Sequence, residues 1–410
     1  MKNLYLIVIS ILCFLFLGGC TDQKEINEYA YVVTMGIDKS KTNEDNIIVT
    51  FEFVIPISID GSSSSQSGKS TSTTTVEAPS IHSAISLVNT YVSKELNLAH
   101  NKIIVFSEDM ALDGLGSYVT TISNDRNFRT NMYIVISKCD AKEYIENNNP
   151  ELQKNPSKYY EQLLSSYEYS GLSSNSYFLW HSLYSSSKYS QPTASIVNIS
   201  NDNSNKVFSN SELLNKPNDG NYIAGQIAKS GKPETEIMGM AVFQESKQVG
   251  ELTGEETLYF LMTNNTFKEN YYTIYDPFSV NNEIAFKLVP TKNSKIEVAF
   301  VDGMPLIKID TFINARITSI NPNIDYSNTE NLDILERELE YIIETNMKNF
   351  LYKTSLNYNS DIVGFGKYAA KNFKTWEQWD KIDWLDIYKY SYFNVNVDVA
   401  IRRSGLVFIE

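Results

Sequence analysis

The stretch LIKIDTFINARITSI, Leu306 to Ile320, decides the fold class of the last third of the chain. Apolar and polar side chains alternate along it, as they do in a β-strand that buries one face and exposes the other. The alternation therefore predicts a half-buried strand. Its inward-facing residues are Ile307, Ile309, Ile313, Ala315 and Ile317, and its outward-facing residues are Lys308, Asp310, Asn314 and Arg316.

The segments that follow predict a helix and a further strand. Residues 331–353 read NLDILERELEYIIETNMKNFLYK, with acidic residues early and lysines late, as the helix macrodipole favours. Residues 394–403 read NVNVDVAIRR and alternate strictly, so the last part of the chain is predicted to be α/β or α+β. The predicted apolar stripe of the helix consists of Leu332, Leu335, Leu339, Ile342, Met347, Phe350 and Leu351.

The first 200 residues predict an α/β domain. EYAYVVTMGI (28–37) and NIIVTFEFVIPI (46–57) are β-rich and separated by a polar turn, which predicts an antiparallel pair. GSSSSQSGKSTSTTT, Gly61 to Thr75, is predicted to be a polar loop, because it has nothing apolar to pack. Further along we predict helices over residues 81–92 and 110–122 and strands over 102–109 and 132–139.

The middle of the chain predicts a hairpin followed by a short helix. EIMGMAVFQESKQVGEL (236–252) is predicted to turn at Glu245 to Lys247. In the helix that follows, Thr253 is the expected N-cap and Glu256 completes a capping box. We therefore predict three mixed α/β domains after residue 19: an N-terminal domain over residues 20–200, a middle domain over 201–300 and a C-terminal domain over 301–410.

The N-terminus is typical of a lipoprotein signal peptide, residues 1–19. Lys2 precedes an apolar run from Leu4 to Leu17, which is shorter than the about 20 residues that a membrane-spanning helix needs. Leu17-Gly18-Gly19-Cys20 matches a bacterial lipobox, so Cys20 is predicted to carry a diacylglycerol lipid. An ordinary signal peptide with an incidental cysteine is the alternative.

Composition and charge restrict the class of partner. A hydrophobic content of 42% is typical of a folded protein, and a net charge of −14 argues against binding to nucleic acid. The same charge argues against electrostatic attachment to anionic lipid, so the membrane contact is predicted to run through the lipid anchor. Once Cys13 and Cys20 are accounted for, Cys139 has no partner for an intrachain disulfide.

The sequence contains no recognisable catalytic motif. Gly68-Lys69-Ser70 resembles the end of a phosphate-binding loop, but Ser63 stands where its first glycine belongs. The three histidines are far apart in sequence, and no G-x-S-x-G motif occurs. We therefore predict no enzymatic activity, no metal and no cofactor beyond the covalent lipid.

The tryptophan-rich segment TWEQWDKIDWLDIY (375–388) is open to two interpretations. Trp376, Trp379 and Trp384 at this density are compatible with a sugar-binding platform or a protein interface. The favoured interpretation is that these aromatics pack into the core of the last domain.

Several short segments, in this order along the chain, resemble those of the Ger(x)C spore germination lipoproteins. In the first of them, Asp22, Glu25 and Asn27 match the family's opening motif, whereas Thr21 departs from its usual tryptophan. Thr34 departs in the same way from the family's first glycine in the second. The segments are CTDQKEIN (20–27), VVTMGIDK (32–39), LNLAHNKIIVFSED (96–109), GMAVFQESKQVGELTGEET (239–257), SDIVGFGKY (360–368) and VDVAIRRSGL (397–406).

This resemblance implies a function that the residues alone do not identify. It implies a palmitate-bearing lipoprotein, the C subunit of a nutrient germinant receptor, at the outer face of the spore inner membrane of a sporulating Gram-positive bacterium. Its implied partners are the integral-membrane A and B subunits. Independently of the resemblance, the residues predict structural roles. Asp361 is predicted to cap a helix, and Gly364 and Gly366 are predicted to allow close backbone approach. The alternative function is a solute-binding lipoprotein that captures the germinant directly.

Overall fold

A computed structural model describes residues 5, 28–55, 71–129, 131–148, 153, 155–174, 189–200, 220–227, 229, 231, 234–320 and 324–402. The predictions for the lipobox cysteine Cys20 and for Asp22, Glu25 and Asn27 lie outside these residues. The described chain is a mixed α/β structure built on two sheets, which confirms the predicted fold class.

The first sheet has the strand order β3-β2-β1-β5-β6-β7-β8-β9, with β4 beside β1. The pairs β1–β2 and β2–β3 are antiparallel, β1, β5, β6 and β7 run parallel, and β8 and β9 close the sheet as an antiparallel hairpin. The strands are β1 Tyr29–Lys39, β2 Ile47–Val54, β3 Thr71–Ala78, β4 Glu95–Asn97, β5 Ile103–Ser107, β6 Tyr133–Ser137, β7 Thr193–Ile199, β8 Thr235–Gln244 and β9 Lys247–Leu252.

Helices cover both faces of this sheet. On one face α1 to α3 pack against a core that includes Phe51 and Phe106, and on the other α4 and α5 pack through Tyr144 and Tyr160. Because the parallel strands are buried on both sides, β5 is a continuous apolar run rather than an alternating one. The helices are α1 Ile81–Val88, α2 Glu108–Asp113, α3 Gly116–Asn124, α4 Ala141–Asn147, α5 Pro156–Leu164 and α6 Tyr167–Ser170.

Two local predictions in the first 200 residues were wrong. The single helix predicted over residues 110–122 is two helices, because Gly114 ends α2 with a φ of 121°, a conformation that residues other than glycine rarely adopt. The predicted loop Gly61–Thr75 includes five residues, 71–75, that form the first part of β3 and pair with β2. Threonine is β-branched and suits a strand even where the segment carries little apolar surface.

The second sheet has the order β10-β11-β12-β13. The strand predicted over 306–320 is confirmed within β12, with Ile307, Ile309 and Ile313 buried as expected. Strand β13 pairs parallel to β12, and its predicted alternation is also confirmed. The strands are β10 Asn270–Asp276, β11 Ser279–Val301, β12 Met304–Ser319 and β13 Tyr392–Arg402.

Helix α8, Thr329–Tyr352, connects β12 to β13 and confirms the predicted long helix. Its buried stripe contains Ile343 rather than the expected Ile342, because four-residue steps lead from Leu339 through Ile343 to Met347. Helix α7, Gly254–Thr263, has the predicted capping box of Thr253 and Glu256. Short helices follow α8: a π-helical turn Lys353–Asn357, α9 Gly366–Ala369, a 3₁₀ turn Ala370–Asn372, α10 Trp376–Asp380 and α11 Trp384–Tyr388.

Three glutamates of α8 cover the free edge of β13. The carboxylates of Glu336, Glu340 and Glu344 accept hydrogen bonds from the backbone N–H groups of Ile401, Val399 and Val397 at 2.7, 3.0 and 3.0 Å. The repeats match, because four helical residues advance about 6 Å and two strand residues about 6.6 Å. An edge strand that would otherwise offer unpaired donors is therefore closed by the chain itself.

The sheets divide the described chain between Leu252 and Asn270. The boundary predicted at residue 200 lies between β7 and β8, which pair with each other, and the one predicted at 300 lies within β11. The hairpin β8–β9 thus belongs to the first sheet although it was predicted in the middle domain. Its side chains Met240, Val242 and Leu252 share a core with the second sheet.

Candidate functional site: the β8–β9 hairpin between the two sheets

The β8–β9 hairpin connects the two sheets and forms the candidate functional site. Its turn lies at Glu245 and Ser246, as predicted, and Glu245 has a φ of 55°. The hairpin is the last pair of strands in the first sheet, yet its inner side chains pack with the second. The contacts that hold the hairpin therefore also determine the connection between the two sheets.

On the side of the first sheet, β8 pairs with β7 along the strand, and one backbone hydrogen bond and one ionic cluster hold the turn and β9 in addition. The N–H of Leu115 donates to the carbonyl of Ser246 at 2.8 Å. The ammonium of Lys138, just after β6, donates to the carboxylates of Glu108 and Glu251 at 2.5 Å each. Burial lowers the pKa of the Lys138 ammonium, but its contacts with the two carboxylates outweigh this, so the pKa is raised above its ordinary value.

On the side of the second sheet, Tyr358 packs on the backbone of β9. An added Cβ at Gly250 would lie 2.2 Å from the Tyr358 ring, so only glycine leaves space for it. The Tyr358 hydroxyl donates to the carbonyl of Glu251 at 2.9 Å, and the Ser360 hydroxyl donates to that of Phe243 at 2.5 Å. One short segment after α8 thus contacts both strands of the hairpin.

Asp361, next in the chain, organises this segment from within. One carboxylate oxygen accepts the N–H groups of Gly364 and Phe365 at 2.8 and 3.0 Å, and the other accepts those of Gly366 and the Trp384 indole at 2.8 Å each. Burial raises the pKa of the Asp361 carboxyl, and these four donors act in the opposite direction because they favour its ionised form. The carboxylate fixes the turn that leads into α9.

The backbone of Asp361 connects this turn to the hairpin. Its carbonyl accepts the N–H of Gln191 at 2.8 Å, and the Gln191 side-chain oxygen accepts the N–H of Glu245 at 2.6 Å. Gly364 has a φ of 86°, and a Cβ there would lie 3.2 Å from the carbonyl oxygen of Tyr189. The D-x-x-G-F-G element is therefore a folded turn that contacts the segment just before β7 and is linked through Gln191 to the hairpin turn.

The three tryptophans do not act as one surface. Trp379 and Trp384 are 2% and 1% exposed and lie with ring centroids 5.9 Å apart, whereas Trp376 is 72% exposed and packs edge-on against Tyr189. The structure brings Asp361, Gly364, Gly366 and Trp384 together. A platform of three exposed indoles does not form, because two of them belong to the core.

A second motif of the chain has a comparable structural role at the end of β1. A Cβ at Gly36 would lie 2.7 Å from the Ile145 Cδ1, so glycine lets α4 pack closely on the strand. The Asp38 carboxylate then accepts the N–H groups of Ala141 and Lys142 at 2.6 and 3.0 Å, at the start of α4. The segment VVTMGIDK thus joins a strand to a helix.

Sequence reasoning missed Lys138, Glu108, Gln191 and Tyr358, which make the contacts around the hairpin. The one available signal was Gly250, because a glycine inside a strand marks a place where another group approaches the backbone. Across the described ranges, no three His, Cys, Asp or Glu residues are grouped to bind a metal. Those ranges also contain no helix with the length and apolar character to cross a membrane.

Comparison with known proteins identifies the class to which this architecture belongs. Residues 22–200 match the family model described as the spore germination protein N-terminal domain, and residues 238–405 match the one described as spore germination B3/GerAC like, C-terminal. The chain is therefore a spore germination protein by family. It belongs to the Ger(x)C family, as the resemblance predicted.

Two relatives match this chain over almost its full length, and a third matches it over part of its length. The putative spore germination protein YfkR of Bacillus subtilis (strain 168) is 21% identical over 99% of this chain and 98% of its own, and spore germination protein KC of the same organism is 21% identical over 99% and 97%. Spore germination protein GerQC of Bacillus cereus is 24% identical over 44% of this chain and 48% of its own. The crystal structure of the GerBC protein superposes with a TM-score of 0.50 and 16% identity, over 90% of this chain and 96% of that one, which shows a shared fold.

Proposed function

We propose that this chain is the lipid-anchored C subunit of a spore nutrient germinant receptor and acts in receptor assembly and signalling rather than in catalysis. The observation that carries the proposal is the β8–β9 hairpin, which is bonded to both sheets through Lys138 on one side and Tyr358 on the other. Membership of the Ger(x)C family supports the same role. A subunit that transmits a displacement requires a firm connection between its two sheets, and it does not require a ligand-binding pocket.

The anchor at Cys20 belongs to this proposal. A single acyl chain binds a membrane only marginally, whereas the two chains of a diacylglyceryl group give stable attachment. Attachment would hold the folded body close to membrane partners, so that contacts of modest individual strength suffice. The proposed partners are the integral-membrane A and B subunits, and the proposed location is the outer face of the spore inner membrane.

The hairpin suggests how a signal would travel. A partner that displaces one sheet would move β8 and β9, and the contacts of Tyr358 and Ser360 would carry that movement to the second sheet. Both hydroxyls donate to backbone carbonyls, so a displacement of the hairpin's main chain reaches these two side chains directly. Rigid, buried contacts transmit displacement because packed interiors have little room to deform.

Replacing Cys20 by alanine tests the proposal. We expect the Cys20→Ala protein to be lost from spore membranes and nutrient-triggered germination to fail, while the Cys139→Ala variant keeps both. Cys139 is the matched control because it is the free cysteine of the described chain. Normal germination in the Cys20→Ala strain, or no incorporation of labelled palmitate into the unmodified protein, would refute the anchor.

A second measurement separates the proposed role from direct capture of the germinant. Isothermal calorimetry of the purified full-length chain in detergent against a panel of amino acids, sugars and nucleosides is expected to show no saturable heat. Saturable binding of one nutrient would favour a solute-binding lipoprotein instead.

A further inference from the structure

Within the described residues the two sheets end in strands β3, β9, β10 and β13, with the short strand β4 beside β1, and the chain's own groups bond the backbone of β9 and β13. Strand β13 is closed by the carboxylates of α8, and Tyr358 bonds the backbone of Glu251 in β9. Strand β10 contacts the end of α6 at its first residue, where the Asn270 side-chain amide donates to the carbonyl of Ser170 at 2.5 Å. Such cover is what edge strands need, since their free N–H and C=O groups otherwise pair with other chains.

Strand β3, the outermost strand at the other end of the first sheet, has no such cover within the described residues. It pairs with β2 along its whole length, Thr71 with Val54 through to Ala78 with Ile47. Every second residue of β3 therefore points its N–H and C=O away from β2. No hydrogen bond from another described segment reaches the backbone of that outer side.

Strand β3 also lacks the features that keep natural edge strands from pairing. Its sequence TSTTTVEA contains no lysine and no proline, and its register with β2 has no bulge. Its one charged residue, Glu77, is held by the β1–β2 turn, because its carboxylate accepts from Ser40 Oγ at 2.8 Å and Asn46 Nδ2 at 3.1 Å. The edge therefore carries a single charge, at Glu77, and an unbroken register.

We propose that β3 pairs with β3 of a second copy of this chain, antiparallel and about a two-fold axis, so that two first sheets become one continuous sheet. The strand is self-complementary: with the axis at Thr74, which then lies opposite its own copy, Glu77 of each copy lies opposite Thr71 of the other. No like charges meet, and a two-fold pairing uses the same surface of both copies.

The side chains of the edge favour a second copy over an unrelated strand. Threonines dominate β3, and threonine pairs across neighbouring strands are favourable. The molecule already uses this pairing, because Thr50 of β2 and Thr75 of β3 share a hydrogen bond at 2.9 Å. Strand-addition sites for foreign peptides select by pockets for alternate side chains, and a row of threonines offers none.

One step of the inference rests on the proposed lipid anchor. Two copies confined to one membrane meet at a raised effective concentration, so an edge of eight residues suffices for association there. In the same membranes, recovery of the protein itself reports on the anchor, and cross-linking reports on the edge. The two readouts therefore distinguish a failure of the proposed anchor from a failure of the proposed β3 pairing.

Cysteine cross-linking of the full-length chain in membranes tests the proposal. In a Cys139→Ser background, Thr73→Cys is compared with Tyr341→Cys, which lies on α8 and is 65% exposed. With a short bis-maleimide we expect at least a five-fold higher yield of covalent homodimer for Thr73→Cys. Equal yields at the two positions, or cross-linking of Thr73→Cys only to a different protein, would overturn the proposal.

A second pair of variants guards against misreading a folding defect. Ser72→Lys combined with Thr73→Lys places like charges along the edge and is expected to abolish the dimer in light scattering of the detergent-solubilised chain. Ser72→Thr combined with Thr73→Val alters the same exposed positions without charge and is expected to keep it. Circular dichroism of both must match the parent, and a parent that is monomeric at every concentration would contradict the inference.

Discussion

Apart from the pairing of β8 with β7, the two sides of the β8–β9 hairpin are held by side-chain contacts of different physical kinds. Toward the first sheet, the Lys138, Glu108 and Glu251 side chains form an ionic cluster that is between 22% and 26% exposed. Toward the second sheet, the Tyr358 ring packs on Gly250, and Asp361 is fully buried with four N–H donors. Partly exposed ion pairs contribute little and are screened by salt, whereas buried packing and buried hydrogen bonds are costly to disrupt.

This difference indicates that, beyond the β7–β8 ladder, the stronger side-chain contacts of the hairpin lie toward the second sheet and the weaker ones toward the first. Substitutions on the Asp361 side should therefore act through stability and uncouple the sheets. Substitutions on the Lys138 side should shift the hairpin's position with a smaller free-energy cost that depends on ionic strength.

The largest effect is expected for Asp361→Asn. Asparagine has the same shape but only one acceptor oxygen, so its amide group would face two N–H donors that the carboxylate now accepts. Leaving two buried donors unpaired is expected to cost about 3 kcal/mol of unfolding free energy. Urea denaturation measures it, with Asp386→Asn at an exposed position of α11 as the matched control, and equal midpoints for the two variants would disprove the central role of Asp361.

A somewhat smaller effect is expected for Gly250→Ala. The added Cβ would overlap the Tyr358 ring, and overpacking of this kind costs about 2 kcal/mol. In a Tyr358→Ala background the same substitution should cost less than about 0.5 kcal/mol, because the ring that it meets is gone. A double-mutant cycle measures the difference, and additive costs would show that the ring contact does not hold the hairpin.

The smallest effect is expected for Lys138→Met. It leaves Glu108 and Glu251 facing each other without a cation, at a cost of about 1 kcal/mol at low salt. That cost should fall in high salt, because screening weakens the repulsion between two partly exposed carboxylates. Denaturation at two ionic strengths checks this, and a cost that is independent of salt would mean that Lys138 acts through packing.

The sequence predicted those parts of the fold in which one face is buried against local neighbours. Strand β12 and helix α8 are clear because their apolar residues repeat with the period of the element. The capping box at Thr253 and Glu256 is equally local and was predicted residue by residue. Such patterns need no knowledge of the rest of the chain.

Long-range pairing explains what could not be predicted. Strands β8 and β9 read as a local hairpin, but nothing in them tells that β8 pairs with β7, across a predicted domain boundary. The first five residues of β3, 71–75, were predicted to be loop because their threonines carry little hydrophobic signal. Tyr358 is an unremarkable tyrosine in sequence, and only the approach to Gly250, more than a hundred residues earlier, gives it a role.

Hydrogen exchange tests most directly whether the hairpin joins the two sheets into one cooperative unit. Native-state exchange of the wild-type chain in increasing urea would follow peptides from β5 in the first sheet and β12 in the second. We predict that both lose protection with the same free energy and the same dependence on urea. Protection lost from one sheet while the other stays fully protected would contradict the account.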